Sequence, residues 1–291
     1  MEMIKVGEVK LNFQEKGAGP TVILIHGVPT DYRAWGGQFG ALSQHYRTIA
    51  YSRRCAFPNK NSDFTDSTVE NNEKDLEGLI DHLGGGPVHL IGHSYGGAVA
   101  ANYALRQPAL VRSLVLIEPY LPTMLLRDPD SVAQRLSLLF RKPSVAIPWR
   151  KAMKNNQAML KELDQKNNEK VLQMFLDGLE DRQDAMKQYS ASAIAMMRSN
   201  IATVAELRTK SPQFSKVEAR NITQPTLLLT GERSIKVQHA IVGELHRTIP
   251  NNQMVTIRNA AHFSFMENPT EFNEVVLKFM TEHASSSETQ H

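Results

Sequence analysis

The feature that most constrains this chain is a five-residue run, Gly92-His93-Ser94-Tyr95-Gly96, set between an apolar stretch from Pro87 to Ile91 (PVHLI) and a small, apolar stretch from Ala98 to Leu105. A strand that turns directly into a helix around a serine needs glycine on both sides, because the turn is too tight for side chains there. The serine oxygen is pushed clear of the backbone, and the free N–H groups of the helix start favour developing negative charge beside it. Glycines are common at strand–helix junctions in general, so it is the placement of the run that makes Ser94 a candidate nucleophile.

The rest of the chain supplies the sheet that such a unit requires. Thr21 to Ile25 (TVILI), Tyr46 to Tyr51 (YRTIAY), Leu114 to Ile117 (LVLI), Thr226 to Leu229 (TLLL) and Gln253 to Ile257 read as further strands, several of them continuously apolar and therefore buried on both faces. Met3 to Val6 and Val9 to Gln14 flank Gly7 as an antiparallel pair that opens the sheet. Leu76, Leu79, Ile80 and Leu83 recur at helical spacing and Gly84 supplies a stop; further helices are expected near Val237 to His246 and after Pro269. From about Leu121 to Ser215 the strand signal disappears and helical periodicity takes over, as in Val171, Leu172, Phe175, Leu176 and Leu179. The expected fold is α/β, a mostly parallel, doubly wound sheet of about eight strands with an inserted helical cap. Residues 1–120 and 216–284 would form the core, 121–215 the cap, and 285–291 a disordered tail.

Charge and cysteine usage exclude several classes of function. A formal charge of +3 with no long run of one sign lacks the electrostatic footprint of a nucleic-acid binder. The single cysteine, Cys55, cannot form an internal disulfide framework or by itself a thiolate metal site, and it reads as a small packing residue. No stretch approaches the roughly 18 apolar residues of a membrane span, and the start MEMIKVGEVKLNF lacks the form of a signal peptide. A cytoplasmic monomer or homodimer without cofactor, metal, nucleic-acid partner or membrane anchor is expected. The cap carries 15 Lys and Arg against 10 Asp and Glu, and 7 of the 12 methionines. These methionines fit either core filling between helices or an adaptable wall around an apolar ligand.

Two other segments converge on the sheet edge that holds Ser94. His26-Gly27-Val28-Pro29 leaves the buried strand TVILI at its carboxyl end, the edge along which ligands bind in open α/β sheets. A tetrahedral oxyanion needs two preorganised donors, and the backbone N–H groups of Val28 and of Tyr95 are the natural pair. Asn259-Ala260-Ala261-His262-Phe263 follows the last strand, so His262 lies in a late loop at the same edge, where a general base can reach Ser94. Of the other histidines, His93 reads as structural within the turn, and His239 and His246 as helix-surface residues.

HGVP after a buried strand, GHSYGG at the elbow and AAHFSFMENPTEF near the end, in that order, resemble the α/β-hydrolase fold superfamily over nearly the whole chain. Similar members carry a helical cap after the sixth strand. HGVPTDYRAW also looks like the oxyanion loop of epoxide hydrolases and haloalkane dehalogenases, relatives that use an aspartate nucleophile. Serine at position 94 directs the resemblance toward esterases, lactonases and carbon–carbon bond hydrolases.

The sequence departs from the family pattern in two places. Where similar proteins carry the triad acid after the strand TLLL, this chain reads Thr230-Gly231-Glu232-Arg233-Ser234, with serine in the acid's place. Glu118, directly before Pro119 at the end of LVLI, resembles a relocated acid as in some dehalogenases and lactonases; Glu232 is the alternative, and a solvated strand-end carboxylate is the plain reading of Glu118. After the fourth strand, Arg53 and Arg54 stand where relatives have a glycine-rich turn; they would form structural ion pairs or bind a substrate carboxylate. The resemblance implies a serine hydrolase of esters or lactones with Ser94, His262 and Glu118 as triad, and the cap methionines imply medium-sized, largely apolar substrates. The alternatives are a carbon–carbon (diketone) hydrolase and a non-catalytic ligand receptor on the same fold.

Overall fold

The computed structural model describes residues 1–59, 61, 63–128, 131–209 and 213–283, and the expected tail at 285–291 lies outside them. Eight strands form one sheet: β1 (Glu2–Val6), β2 (Val9–Lys16), β3 (Thr21–Ile25), β4 (Arg47–Tyr51), β5 (Val88–His93), β6 (Val111–Ile117), β7 (Thr226–Gly231) and β8 (Asn252–Ile257). Their order is β1-β2-β4-β3-β5-β6-β7-β8. The pairs β1/β2 and β2/β4 are antiparallel, and every other pair is parallel. Strands β5 and β7 are buried along their whole length, as an apolar run in a sheet covered on both faces requires.

The described helices are α1 (Gly36–Leu42), α2 (Val69–His82), α3 (Tyr95–Arg106), α4 (Val132–Arg141), α5 (Pro143–Asp164), α6 (Asn168–Glu180), α7 (Ala191–Ser199), α8 (Lys216–Arg220), α9 (Lys236–Thr248), α10 (Ser264–Glu267) and α11 (Pro269–Glu282). α4 to α7, followed by a 3-10 segment at Ile201–Arg208, occupy the chain between β6 and β7. They pack on one another, and α5 reaches α9 of the sheet-bound set. Among the described residues no helix is long and apolar enough to cross a membrane.

Several strand limits move by one or two residues from the sequence reading, and two boundaries move by three. β6 starts at Val111 rather than Leu114. Arg112 and Ser113 break the apolar run, but Ser113 is buried with its hydroxyl hydrogen-bonded to His89 Nδ1 at 2.7 Å. α3 starts at Tyr95, immediately after the nucleophile candidate, although Gly96 and Gly97 are poor helix formers. Space decides there: a Cβ on Gly96 would lie 2.2 Å from the Ile25 carbonyl oxygen, and one on Gly97 2.9 Å from Pro119 Cβ. α1 and the 3-10 turn Tyr32–Trp35 before it are absent from the sequence reading, because their seven and four residues are too short to show a period.

Candidate active site

Ser94 sits between β5 and α3 with φ 51° and ψ −116°, a backbone state that costs a non-glycine residue about 1–3 kcal/mol. Three hydrogen bonds hold it there. Its N–H donates to the Ile117 carbonyl at 2.9 Å, and its own carbonyl accepts from Tyr120 N–H at 2.9 Å and Ala98 N–H at 3.1 Å. The neighbouring turn is pressed against it, since a Cβ on Gly27 would lie 2.9 Å from Ser94 Cβ. That contact brings the Val28 backbone beside the serine. Tyr95, the first residue of α3, has an N–H beyond the reach of any intrahelical acceptor. Val28, Ser94, Tyr95 and His262 line one cavity.

His262 follows β8 in a buried loop. Its Nδ1–H donates to Glu118 Oε2 at 2.8 Å, with both side chains buried. Its Nε2 is also buried and has no hydrogen-bond partner, which leaves it available in the cavity that Ser94 enters. Catalytic hydrogen bonds are commonly long in ligand-free sites and tighten around substrate. His93 fixes this loop from below: its Nε2–H donates to the His262 carbonyl at 3.0 Å and the two rings lie 4.6 Å apart. Burial and the neighbouring His262 push the His93 pKa well down, so the ring is neutral and carries its one proton on Nε2. His93 is thus structural, as the sequence suggested, but its reach to residue 262 was not visible there.

Glu118 is the first residue after β6, with φ 41° and no solvent exposure. Its Oε1 accepts from Thr230 Oγ1 at 2.7 Å and from Gly231 N–H at 3.0 Å, leaving Oε2 for the imidazole. Burial alone would raise its pKa. The hydrogen bonds from His262 and Thr230, together with the nearby Ser234 hydroxyl, outweigh that effect and hold the carboxyl below its usual range. Ser234 acts through proximity, for its Oγ makes no hydrogen bond of full geometry. The usual acid position therefore converges on the Glu118 carboxylate, although it carries only a hydroxyl. Glu232 is exposed and accepts from Asn259 N–H at 2.9 Å, so it steadies the start of the His262 loop without facing the ring.

The two arginines do not line the cavity. Arg54 grips Asp75 with Nε and Nη2 at 2.8 and 2.9 Å and also contacts Asp66. Arg53 is fully buried and donates from Nη2 to Glu206 Oε2 at 2.8 Å. Both arginines are thus engaged in ion pairs within the protein, the first of the two readings the sequence allowed. Cys55 is buried, and desolvation pushes its thiol up to about 11, which suits packing rather than nucleophilic chemistry.

The cavity has a volume of about 100 Å³, and the helical insert supplies Trp149, Met153, Phe175, Leu179 and Leu207 to its walls. Ile241 of α9 continues the apolar surface, while Asn155, Asn156 and Gln238 interrupt it. Met153 is the one methionine among the described lining residues; Met124, Met159, Met196 and Met197 are buried in the packed interior. Among the described residues no group of three or more His, Cys, Asp or Glu is placed to hold a metal ion.

Comparison with known proteins gives the same frame. The family model described as "Alpha/beta hydrolase family" matches residues 22–275. A 2-(acetamidomethylene)succinate hydrolase of Mesorhizobium japonicum is 26% identical over 282 residues, covering 96% of this chain and 92% of its own. Epoxide hydrolase 3 of Xenopus tropicalis is 26% identical over 275 residues, covering 90% and 72%. Among solved structures, a thermophilic esterase from Thermogutta terrifontis superposes with a TM-score of 0.72 at 22% identity, covering 97% of this chain and all of that one.

Proposed function

Because the chain belongs to the α/β-hydrolase family, we propose that it is a serine hydrolase cleaving carboxylic esters or lactones through an acyl-enzyme on Ser94. The observation that carries this reading is the imidazole of His262, tied by Nδ1–H to a buried Glu118 carboxylate while its unpartnered Nε2 shares a cavity with the Ser94 side chain. Ser94 Oγ adds to the acyl carbon as its proton passes to Nε2, and the Val28 and Tyr95 N–H groups donate to the oxyanion. Collapse expels the alcohol, which takes that proton from Nε2 and leaves the acyl group esterified to Ser94. Water then loses a proton to Nε2 and adds to the acyl carbon. Collapse releases the acid and returns the proton to Ser94.

Serine supports acyl transfer rather than the aspartate-dependent chemistry of the epoxide hydrolase relatives. The apolar walls favour largely apolar substrates, with Met153 able to adjust to their shape. The contact from His262 Nδ1–H to Glu118 supports catalysis over a non-catalytic receptor.

A panel of short and long p-nitrophenyl esters, lactones and ring-fission diketones tests the proposal. Turnover of esters or lactones is expected. Turnover of diketones alone would make it a carbon–carbon hydrolase, and stoichiometric retention of ligand without turnover would make it a receptor.

A further inference from the structure

We propose that the buried Arg53–Glu206 ion pair is a positioning device that holds both oxyanion donors, the Val28 loop and the Tyr95 start of α3, in register with the helical insert. This inference rests on the serine mechanism proposed above. The side chains of Arg53 and Glu206 are both fully buried, and several of their contacts lead to parts of the site. Arg53 Nε donates to the His26 carbonyl at 2.9 Å, and Arg53 N–H donates to His26 Nε2 at 2.9 Å. His26 is therefore gripped from both sides immediately before Gly27 and Val28. The Arg53 guanidinium also lies 4.7 Å over the Tyr95 ring, whose hydroxyl donates to the Ser67 carbonyl at 2.7 Å. Ser67 Oγ closes the circuit by donating to Glu206 Oε1 at 2.8 Å. Glu206 stands in the 3-10 segment Ile201–Arg208 of the insert, next to Leu207 of the cavity wall.

Stability alone is a poor reason for this arrangement. Removing two charges from water is costly, and an apolar pair of similar volume often stabilises a protein as well or better. A guanidinium offers what an apolar pair does not, donors in fixed directions that reach His26 and Glu206 while its plane covers Tyr95. Small displacements of a catalytic group cost rate steeply, on the order of 10²-fold per ångström.

The test replaces the pair jointly, Arg53→Met with Glu206→Leu, so that neither charge is stranded, and adds Arg53→Lys and Glu206→Gln singly. Three quantities are read: the second-order rate of fluorophosphonate labelling at Ser94, kcat and KM on a p-nitrophenyl ester, and Tm. The double variant is expected to keep its Tm within a few degrees while labelling rate and kcat fall about 10–100-fold with KM little changed. Arg53→Lys is expected to fall similarly, because an ammonium keeps the charge and loses the fork. A folded double variant that labels and turns over at the wild-type rate overturns the inference. If that variant does not fold, Glu206→Gln carries the test: slowed labelling at unchanged Tm supports the device, and wild-type labelling overturns it. Wild-type protein that does not label at Ser94 would instead defeat the serine mechanism itself, and this inference with it.

Discussion

Replacing Glu118 by glutamine is expected to lower kcat by about 10⁴ with the fold retained. The amide would fit the same space, and its oxygen could still accept from Thr230 Oγ1 and Gly231 N–H, as Oε1 does now. Its nitrogen would then face His262 Nδ1 and donate to it, which places the ring proton on Nε2. In that tautomer the ring cannot take the proton of Ser94, and the imidazolium loses the buried carboxylate that stabilises it. Glu232→Gln is expected to leave kcat nearly unchanged, because its carboxylate is exposed and its contact with Asn259 N–H needs only a carbonyl oxygen. Steady-state kinetics of the two variants side by side, with circular dichroism for the fold, checks this. The opposite ranking would move the acid to Glu232.

Ser94→Ala and His262→Ala are each expected to lower kcat by about 10⁶, and the double variant should be no slower than either single one. The reason is that the two groups act in one step: an alkoxide cannot form without an acceptor, and the acceptor has no task without the hydroxyl. Losses that instead multiply in the double variant would show that serine and histidine act independently. The residual rate, owed to binding and to the Val28 and Tyr95 donors, should persist in all three variants.

The framework of this site was legible in the sequence because its determinants are local. Gly92 and Gly96 around Ser94 announce the elbow, the continuously apolar TVILI and LVLI announce strands buried on both faces, and His262 and Glu118 are marked by following predicted strands at one sheet edge. Contacts across long sequence separations were not legible. Arg53 and Glu206 are 153 residues apart, His93 and the His262 carbonyl 169 apart, and nothing in either segment names its partner. Asp31 and Asn200, also 169 apart, join the HGVP loop to the insert at 2.6 Å in the same hidden way. The choice between Glu118 and Glu232 was open because both follow strands. Orientation favours the proposed Glu118, which turns inward at positive φ while Glu232 faces solvent. The limits of α3 and β6 were blurred where packing overrides local propensity, at Gly96, Gly97 and Ser113.

The most direct test of the serine nucleophile is to label the protein with a fluorophosphonate, digest it and map the adduct by mass spectrometry. The expected result is one adduct, on Ser94, absent from Ser94→Ala and formed far more slowly in His262→Ala. An adduct on another residue, or labelling that survives Ser94→Ala, would contradict it.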